Sequence, residues 1–354
     1  MKLGELHIEP YSFGLTRKLR SAMGELRNRR GLVLRAETPE GHVCHGEVAP
    51  LPDFSEETFE QAQAQLQELH EKSSLLDLGA TAEAIGASLD ALNLAPSVRH
   101  GVEELWLDGL SQEAGVSLAR FLNPEAASQV ETAHLAADSE SALVAVQEGF
   151  RTIKLKVGYQ EAAEDLRRVL SVREAVGDSV KIRLDANGAW TPGWAVDVLR
   201  RLAPLQIECI EQPVDADDIE GLAWVCTQSP IPVAADESVR TTGQVMDVLE
   251  KRAADIVVLK PMFCGGPAKT YELGRLAQQR GLKVMVTTAL DSAIGRASAL
   301  HVAAALDGEG TIAAGLDTGG WLKEDSATMP KAIGGIITLP KANGLGLENV
   351  RVFA

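Results

Sequence analysis

The chain is short of aromatic residues and of positive charge, and each shortage argues against a class of protein. Aromatic side chains make up 4% of the 354 residues, too few for the base-stacking surface of a protein that binds single-stranded nucleic acid. Fifty acidic residues face 34 basic ones, for a formal net charge of −16. Such a chain repels phosphate backbones and anionic lipid surfaces. We therefore expect no nucleic-acid partner and no membrane partner, and the sequence leaves the oligomeric state open.

Cysteine is also scarce, and long apolar runs are absent. The four cysteines lie far apart without a Cys-x-x-Cys pair, which argues against a disulfide framework or a structural zinc site. No apolar run approaches the roughly 20 residues of a membrane helix. The first ten residues carry charge and proline where a signal peptide needs an apolar stretch. These features predict a soluble cytoplasmic protein.

What is present, from residue 101 onward, is a repeated alternation of short apolar runs with helical patterns. Each run ends in a polar or charged cluster, and eight such units fit a closed barrel better than an open sheet. The predicted strands are Glu131–Ala136, Thr152–Val157, Lys181–Ala186, Gln206–Ile210, Pro232–Ala235, Asp255–Leu259, Lys283–Thr288 and Thr311–Leu316. The sequence therefore predicts the α/β class and a modified (β/α) barrel.

The two ends of the chain differ from this pattern. Strand-like segments at Leu3–Pro10, Gly31–Glu37 and Val43–Val48 precede a helical stretch at Glu56–Lys72, an order typical of an α+β module. The tail after Gly334 is again rich in strand and turn residues, and we expect it to return to that module. The predicted domains are a capping domain at 1–100, the catalytic barrel at 101–325 and the returning tail at 326–354.

Charged residues stand at the carboxyl ends of the predicted barrel strands, the face that carries the active site in such barrels. Their separation along the chain is about one βα unit, so they fall on neighbouring strands at similar height. They are Lys154 and Lys156 on the second strand, Asp185 on the third, Glu211 on the fourth, Asp236 and Glu237 on the fifth, and Lys260 on the sixth.

Three of these carboxylates, on Asp185, Glu211 and Asp236, would converge. Like charges at close range resist joint ionisation unless a cation compensates them. Hard oxygen ligands suit Mg²⁺, with Mn²⁺ as a second option. The alternative is that they are surface acids paired with lysines. We expect Asn187 and Glu237 to orient the ligands from behind.

Lys154 and Lys156 are two residues apart on one strand, so their side chains point to the same face. A lysine inside a barrel is costly unless it is used or paired. A nearby divalent cation favours the neutral amine, which can act as a base. Lys260 would face Lys156 across the barrel mouth. The arrangement suits removal of a proton α to a carboxylate, with the metal stabilising the negative charge that develops.

Five motifs in order resemble the muconate-lactonizing subgroup of the enolase superfamily. They are the KLK run at 154–156, LDANGAW at 184–190, EQP at 211–213, ADES at 235–238 and LKP at 259–261. The resemblance covers nearly the whole chain, and the pairing of a lysine base with magnesium is a general feature of that superfamily. It implies a Mg²⁺-dependent enzyme acting on a small carboxylate, with Lys154, Lys156 and Lys260 as catalytic residues.

Finer features are similar to o-succinylbenzoate synthases, the dehydratases of menaquinone biosynthesis. These features are GEVAPLPDFSEET at 46–58, TTALDSAIG at 287–295 and GLDT at 315–318. They imply syn dehydration of 2-succinyl-6-hydroxy-2,4-cyclohexadiene-1-carboxylate by a lyase, with Thr288, Gly315 and Leu316 at the substrate. In this mechanism Lys156 is the acid–base residue, and Lys260 stabilises the intermediate by its charge.

Two alternatives to dehydration stay open. One is an N-succinylamino acid racemase or dipeptide epimerase that uses Lys156 and Lys260 as paired bases. Dipeptide epimerases carry Asp-x-Asp at the end of the eighth strand, whereas this chain has Gly315 at the first of these positions. The other is a barrel that has lost catalysis and serves as a binding module.

The segment Arg17–Arg30 holds six basic residues in an acidic protein. Composition alone predicts a solvated loop between two strands. The resemblance implies a loop that closes over the site, where basic residues would meet a dicarboxylate substrate.

Overall fold

The computed structural model describes residues 3–21, 24–52, 54–72, 78–308 and 310–351, and for 17–21, 24 and 72 it describes the backbone alone. Buried apolar side chains form two large clusters, one around the barrel and one in the N-terminal module. In the described ranges, no helix combines the length and the apolar character that a membrane crossing requires.

Seven parallel strands curl into the predicted barrel, in the order in which they occur along the chain. The eighth predicted run is not a regular strand, but single bridges join it on both sides. Thr311 and Gly315 pair with the seventh strand, and Ala314 pairs with Thr132 beside the first. These bridges close the barrel. The strands are β5 (His134–Ala136), β6 (Thr152–Lys156), β7 (Lys181–Asp185), β8 (Ile207–Glu211), β9 (Val233–Ala235), β10 (Ile256–Leu259) and β11 (Lys283–Val286).

The first predicted run, Glu131–Ala136, is divided in two. Its start belongs to β4 (Gln129–Glu131), which pairs antiparallel with β12 (Ile336–Thr338) from the tail. Its end forms β5. The tail therefore contributes one three-residue strand, and that strand lies against the barrel. Farther along, Leu345 and Leu347 pack into the N-terminal cluster.

Helices cover the outside of the barrel. In α6 the sequence shows where the helix ends. The helix stops at Gly177, which takes φ +73°, a left-handed conformation that favours glycine. Val169 and Arg173 are buried on its inner face, whereas Leu170 is 43% exposed. The barrel helices are α5 (Ser139–Gln147), α6 (Ala162–Val176), α7 (Pro192–Leu202), α8 (Ile219–Gln228), α9 (Thr242–Lys251), α10 (Pro261–Cys264), α11 (Pro267–Gln279) and α12 (Ala293–Leu306).

The N-terminal module is a three-stranded antiparallel sheet with helices packed on it. α3 lies so close to the sheet that a Cβ on Gly46 would stand 2.1 Å from the carbonyl oxygen of Gly101. α3 crosses residue 100 and its side chains fill the module's own cluster; the domain limits at 100 and 325 stay predictions. The elements are β1 (His7–Ser21), β2 (Gly24–Glu37), β3 (Val43–Val48), α1 (Phe59–Lys72), α2 (Ala82–Asp90), α3 (Pro96–Glu113) and α4 (Leu118–Leu122).

The basic segment Arg17–Arg30 is not a loop, and that prediction was wrong. Its described residues lie in β1 and β2, which pair as one long hairpin as far as Ser21 and Gly24; positions 22 and 23 lie outside the described residues. The segment has few apolar side chains to reveal a strand, but backbone pairing does not depend on them.

Candidate active site

The charged strand ends meet at one mouth of the barrel. Lys156, Asp185 and Glu211 are direct register partners on β6, β7 and β8. Glu211 pairs next with Ala234 of β9, two residues before Asp236, and Lys260 directly follows β10. The acids thus stand on the middle strands, with a lysine on each side.

Lys154 contacts two of these acids at once. Its Nζ lies 2.9 Å from Asp185 Oδ2 and 2.6 Å from Glu211 Oε1. Lys156 projects to the same face, as the two-residue spacing predicts, and its Nζ lies 4.0 Å from the same oxygen of Asp185. Lys154 therefore supplies a positive charge shared by two of the three acids.

Lys260 lies on the other side of the acids and forms an ion pair with Asp236. Two stacked rings flank its ammonium group: Nζ lies 5.9 Å from the ring centre of Phe54 and 5.7 Å from that of Phe263. Phe54 comes from the capping module. Its carbonyl accepts a hydrogen bond from Nη1 of Arg240 at 3.1 Å, which ties this stretch of the cap to the barrel mouth.

Asn187 connects the two sides of the site. Its Oδ1 accepts a hydrogen bond from Lys156 Nζ at 2.8 Å, and its Nδ2 donates to Glu237 Oε1 at 3.1 Å. Its backbone N–H donates to Asp185 Oδ1 at 3.1 Å. Asn187 holds these contacts from φ +42°, a conformation that asparagine tolerates better than most residues. The orienting role of Asn187 and Glu237 stays a prediction.

Electrostatics at the mouth reflects burial and close charges. Burial raises the pKa of Glu211 to about 8, against the opposing effect of Lys154. For Lys154 itself burial acts to lower the pKa, but the charges of Asp185 and Glu211 outweigh it and raise the pKa. The pKa of Lys260 is raised in the same way, chiefly by Asp236 against burial. Without another cation, the lysines carry the compensating charge.

The donor set fits a divalent metal in its chemistry. Glu211 Oε2 and Glu237 Oε2 are buried with no hydrogen-bond partner, and carboxylate oxygens are the ligands that Mg²⁺ prefers. Across the described ranges, no three His, Cys, Asp or Glu side chains are grouped closely enough to hold a metal ion. The contacts of Lys154 and Lys260 explain this arrangement, because their ammonium groups are bonded to all three predicted ligands.

The predicted substrate residues divide into two kinds. Thr288 is buried near the mouth, with its Oγ1 2.8 Å from Thr318 Oγ1. A Cβ on Gly315 would stand 2.5 Å from Thr287 Oγ1, so this position has no room for a side chain. Leu316 packs its side chain into the main hydrophobic cluster, the ordinary place of a core leucine. Their roles at the substrate stay predictions.

Two residues near the mouth were missed by sequence reasoning. Gln212 accepts hydrogen bonds through Oε1 from the backbone N–H groups of Asp236 and Ser238, which orients the fifth strand end. Its place inside the EQP motif was the available signal. Tyr159 donates from its hydroxyl to Asn187 Oδ1 at 3.0 Å, and no pattern in the sequence marks it.

Family models match both parts of the chain. The model described as "Enolase C-terminal domain-like" matches residues 137–351, and "MenC, N-terminal domain" matches residues 10–104. The o-succinylbenzoate synthase of Thermobifida fusca is 38% identical over 169 residues, which span 47% of this chain and 52% of that protein.

Similarity over most of the chain is found with two epimerases. The L-Ala-D/L-Glu epimerase of Bacillus subtilis is 30% identical over 86% of this chain and 85% of its own length, and its substrate-liganded structure superposes with a TM-score of 0.91 over 99% and 100% of the two chains. The dipeptide epimerase of Enterococcus faecalis, solved with Mg and the dipeptide L-Leu-L-Tyr, is 28% identical over 99% and 100% of the two chains, with a TM-score of 0.89. The chain is an enzyme of the enolase superfamily and belongs to its muconate-lactonizing group.

Proposed function

We propose that the chain catalyses racemisation or epimerisation at the carbon α to a carboxylate. The observation that carries the proposal is the pair of lysines on opposite sides of three strand-end acids, Lys156 beside Asn187 and Lys260 beside Asp236. Inversion of a carbon needs one group to remove the proton from one face and another to deliver a proton to the opposite face. Two relatives that match most of the chain are epimerases, and they support epimerisation over dehydration.

Mg²⁺, held by Asp185, Glu211 and Asp236, would withdraw charge from the substrate carboxylate. Lys154 keeps a fixed positive charge between Asp185 and Glu211, where it favours negative charge on a nearby carboxylate. Asn187 and Gln212 hold the acids and Lys156 in place. Removal of metal by a chelator should abolish turnover, and added Mg²⁺ should restore it; full activity in the stripped enzyme would rule out this role for the metal.

The substrate we favour is an N-acylated amino acid, such as an N-succinylamino acid. An unblocked dipeptide brings an ammonium group, and the resemblance placed its partner at position 315, where this chain has glycine. The next acid of that strand, Asp317, is bound to His134 Nδ1 at 2.7 Å. An acylated nitrogen carries no charge and needs no such partner.

Dehydration to o-succinylbenzoate is the second candidate. It is favoured by the match of residues 10–104 to the MenC N-terminal model and by the higher local identity to the synthase of Thermobifida fusca. In a syn elimination one residue on one face suffices: Lys156 would remove the proton and return it to the departing hydroxyl. Lys260 would then need only its charge.

One experiment separates these reactions. Wild-type enzyme is assayed with Mg²⁺ on an N-succinylamino acid, an unblocked dipeptide and the cyclohexadiene substrate, and α-proton exchange is followed in D₂O. For a racemase, Lys156→Ala and Lys260→Ala each stop inversion, but each still exchanges the proton of one enantiomer through the remaining lysine. The control is the exposed Lys331→Ala, which should behave as wild type.

Other outcomes would decide against the first proposal. Turnover of the cyclohexadiene substrate alone, with exchange lost in Lys156→Ala and kept in Lys260→Ala, would establish the dehydratase with Lys156 as its base. Efficient epimerisation of the unblocked dipeptide would contradict the substrate preference drawn from Gly315. No turnover of any of the three would contradict both proposed reactions.

A further inference from the structure

A cavity of about 730 Å³ opens at the end of the barrel opposite the strand-end acids. It is lined by residues at or next to the starts of four neighbouring strands, including Glu208 of β8, Pro232 before β9, Asp255 before β10 and Lys283 of β11. The proposed catalytic residues lie at the carboxyl ends of the barrel strands, on the opposite face. The cavity is therefore separate from the site described above.

Three cations line this cavity: Arg252, Arg280 and Lys283. Each is exposed, and none of their side chains forms an ion pair or a hydrogen bond with a described residue. By contrast, Arg27, Arg30 and Lys251 elsewhere on the surface are each paired with a glutamate. The cavity therefore brings together three unpaired cations in a chain whose net charge is −16.

The acids that line the cavity already have partners. Glu208 binds Arg183 at 2.5 Å and Lys181 at 3.1 Å. Asp255 Oδ2 accepts hydrogen bonds from the Val233 N–H at 2.8 Å and from Cys226 Sγ at 3.6 Å. The charge that the cavity offers to a ligand is thus positive.

The preference for cations at helix C-termini explains only two of the three cations at this cavity. Arg252 and Arg280 directly follow the C-termini of α9 and α11, where a cation is favoured by the unpaired carbonyl groups. Lys283 begins a strand and has no such reason to be there.

We propose that this cavity is a second binding site, for a small polyanion with two or more carboxylate or phosphate groups. Its volume lies in the range of about 300–1,000 Å³ that is usual for small-molecule sites. The arginine side chains offer paired N–H donors that match carboxylate and phosphate oxygens. The site is independent of the reaction at the other end of the barrel.

The test measures binding of pyrophosphate and of citrate to the purified full chain by titration calorimetry, in metal-free buffer at constant ionic strength. We expect one anion per chain, and at least fivefold weaker binding in each of Arg252→Gln, Arg280→Gln and Lys283→Gln. The matched control is Arg275→Gln, an exposed arginine on α11 outside the cavity, which should bind as wild type. The tighter probe identifies the ligand as a phosphate or a carboxylate compound.

Cys226 gives an independent measure of where the anion binds. It lines the cavity, whereas Cys44, Cys209 and Cys264 are buried. Bound anion should slow alkylation of Cys226, followed by mass spectrometry, in wild type and in Arg275→Gln. Absence of saturable binding, or an equal loss of affinity in Arg275→Gln and in the cavity variants, would overturn the proposal. Binding that leaves the alkylation of Cys226 unchanged would also overturn it.

Discussion

Glu211 is 1% exposed and has one carboxylate oxygen bound to Lys154 and the other without a partner. An unpaired buried carboxylate oxygen is costly, so a bound cation would stabilise this residue. We predict that Glu211→Gln, which keeps the shape and removes the charge, lowers Mg²⁺ affinity at least tenfold in a calorimetric titration.

The control for this change is Glu220→Gln. Glu220 is an exposed acid on α8 that pairs with Lys251 and is not one of the predicted metal ligands. It should leave Mg²⁺ affinity unchanged. If Glu211→Gln binds Mg²⁺ as tightly as wild type, Glu211 is not a ligand, and the unpaired oxygen reflects the lysine contacts alone.

Gly315 shows how a single position can exclude a side chain. Thr287 Oγ1 donates a hydrogen bond to the Gly315 carbonyl at 2.8 Å and occupies the space where a Cβ would stand. We predict that Gly315→Ala lowers the free energy of unfolding by about 1–3 kcal/mol, the usual effect of overpacking, measured by urea denaturation.

Two further variants make that prediction specific. Gly320 has no atom within 4 Å of an added Cβ, so Gly320→Ala should change stability little. Thr287→Ala removes the clashing oxygen, so the double variant with Gly315→Ala should be more stable than the two single effects predict together. Strict additivity would mean that the two residues do not interfere.

At the level of elements, the hairpin of β1 and β2 reaches the barrel mouth through Arg29. This side chain is 1% exposed and donates to the carbonyls of Leu290 at 3.2 Å, of Pro50 at 2.7 Å and of Ala49. Leu290 follows the seventh strand and holds φ +60°, a strained conformation for leucine. One arginine thus ties a loop of the cap to the loop that carries Thr288.

We predict that Arg29→Gln raises KM for the substrate more than it lowers kcat, because the loops around the mouth lose their common donor. The free energy of unfolding should also fall, since the buried Asp291, 3.8 Å from the guanidinium, loses this ion pair. Steady-state kinetics and denaturation are compared with Arg27→Gln, an arginine two residues away whose side chain is 72% exposed. Equal effects in the two variants would remove Arg29 from this role.

These elements also show what a sequence can and cannot reveal. The strand ends were predictable because a βα unit has a nearly fixed length and the acids occur once per unit. Arg29 was not predictable as a clamp, because the carbonyl of Leu290 is 261 positions away in sequence. The hairpin was missed because its strand character comes from backbone pairing. The eighth predicted run joins its neighbours through single bridges only.

At the scale of the whole molecule, His301 joins three parts of the chain. Its Nδ1 accepts a hydrogen bond from the Ala119 N–H of α4 at 3.2 Å, and its Nε2 lies 3.1 Å from the Leu345 carbonyl of the tail. The ring is therefore neutral, with the proton on Nε2. Burial lowers the pKa of His301 from 6.5 to about 4.

This pKa predicts a specific loss of stability in acid. Between pH 6.5 and 4 the unfolded chain binds a proton at this residue and the folded chain does not, so stability is present above pH 6.5 and is lost as the pH falls through this window. The lowering of this pKa corresponds to a contribution of about 3 kcal/mol to the free energy of unfolding, which is lost completely once the pH is below both pKa values. Glu103 and Asp108 change stability in the opposite direction. Burial raises the pKa of each to about 6, so as the pH falls the folded chain binds these protons before the unfolded chain does.

The opposing carboxyl groups mean that the wild-type curve alone cannot isolate the histidine, and a variant is needed. Glutamine can accept from the Ala119 N–H and donate to the Leu345 carbonyl without titrating. We predict that His301→Gln loses less stability than wild type between pH 6.5 and 4. The slopes of the free energy of unfolding against pH should differ by the equivalent of about one bound proton. His42→Gln, at an exposed histidine, should follow the wild-type curve. Parallel curves for His301→Gln and wild type, measured by urea denaturation at each pH, would show that His301 does not stay neutral when the tail is docked.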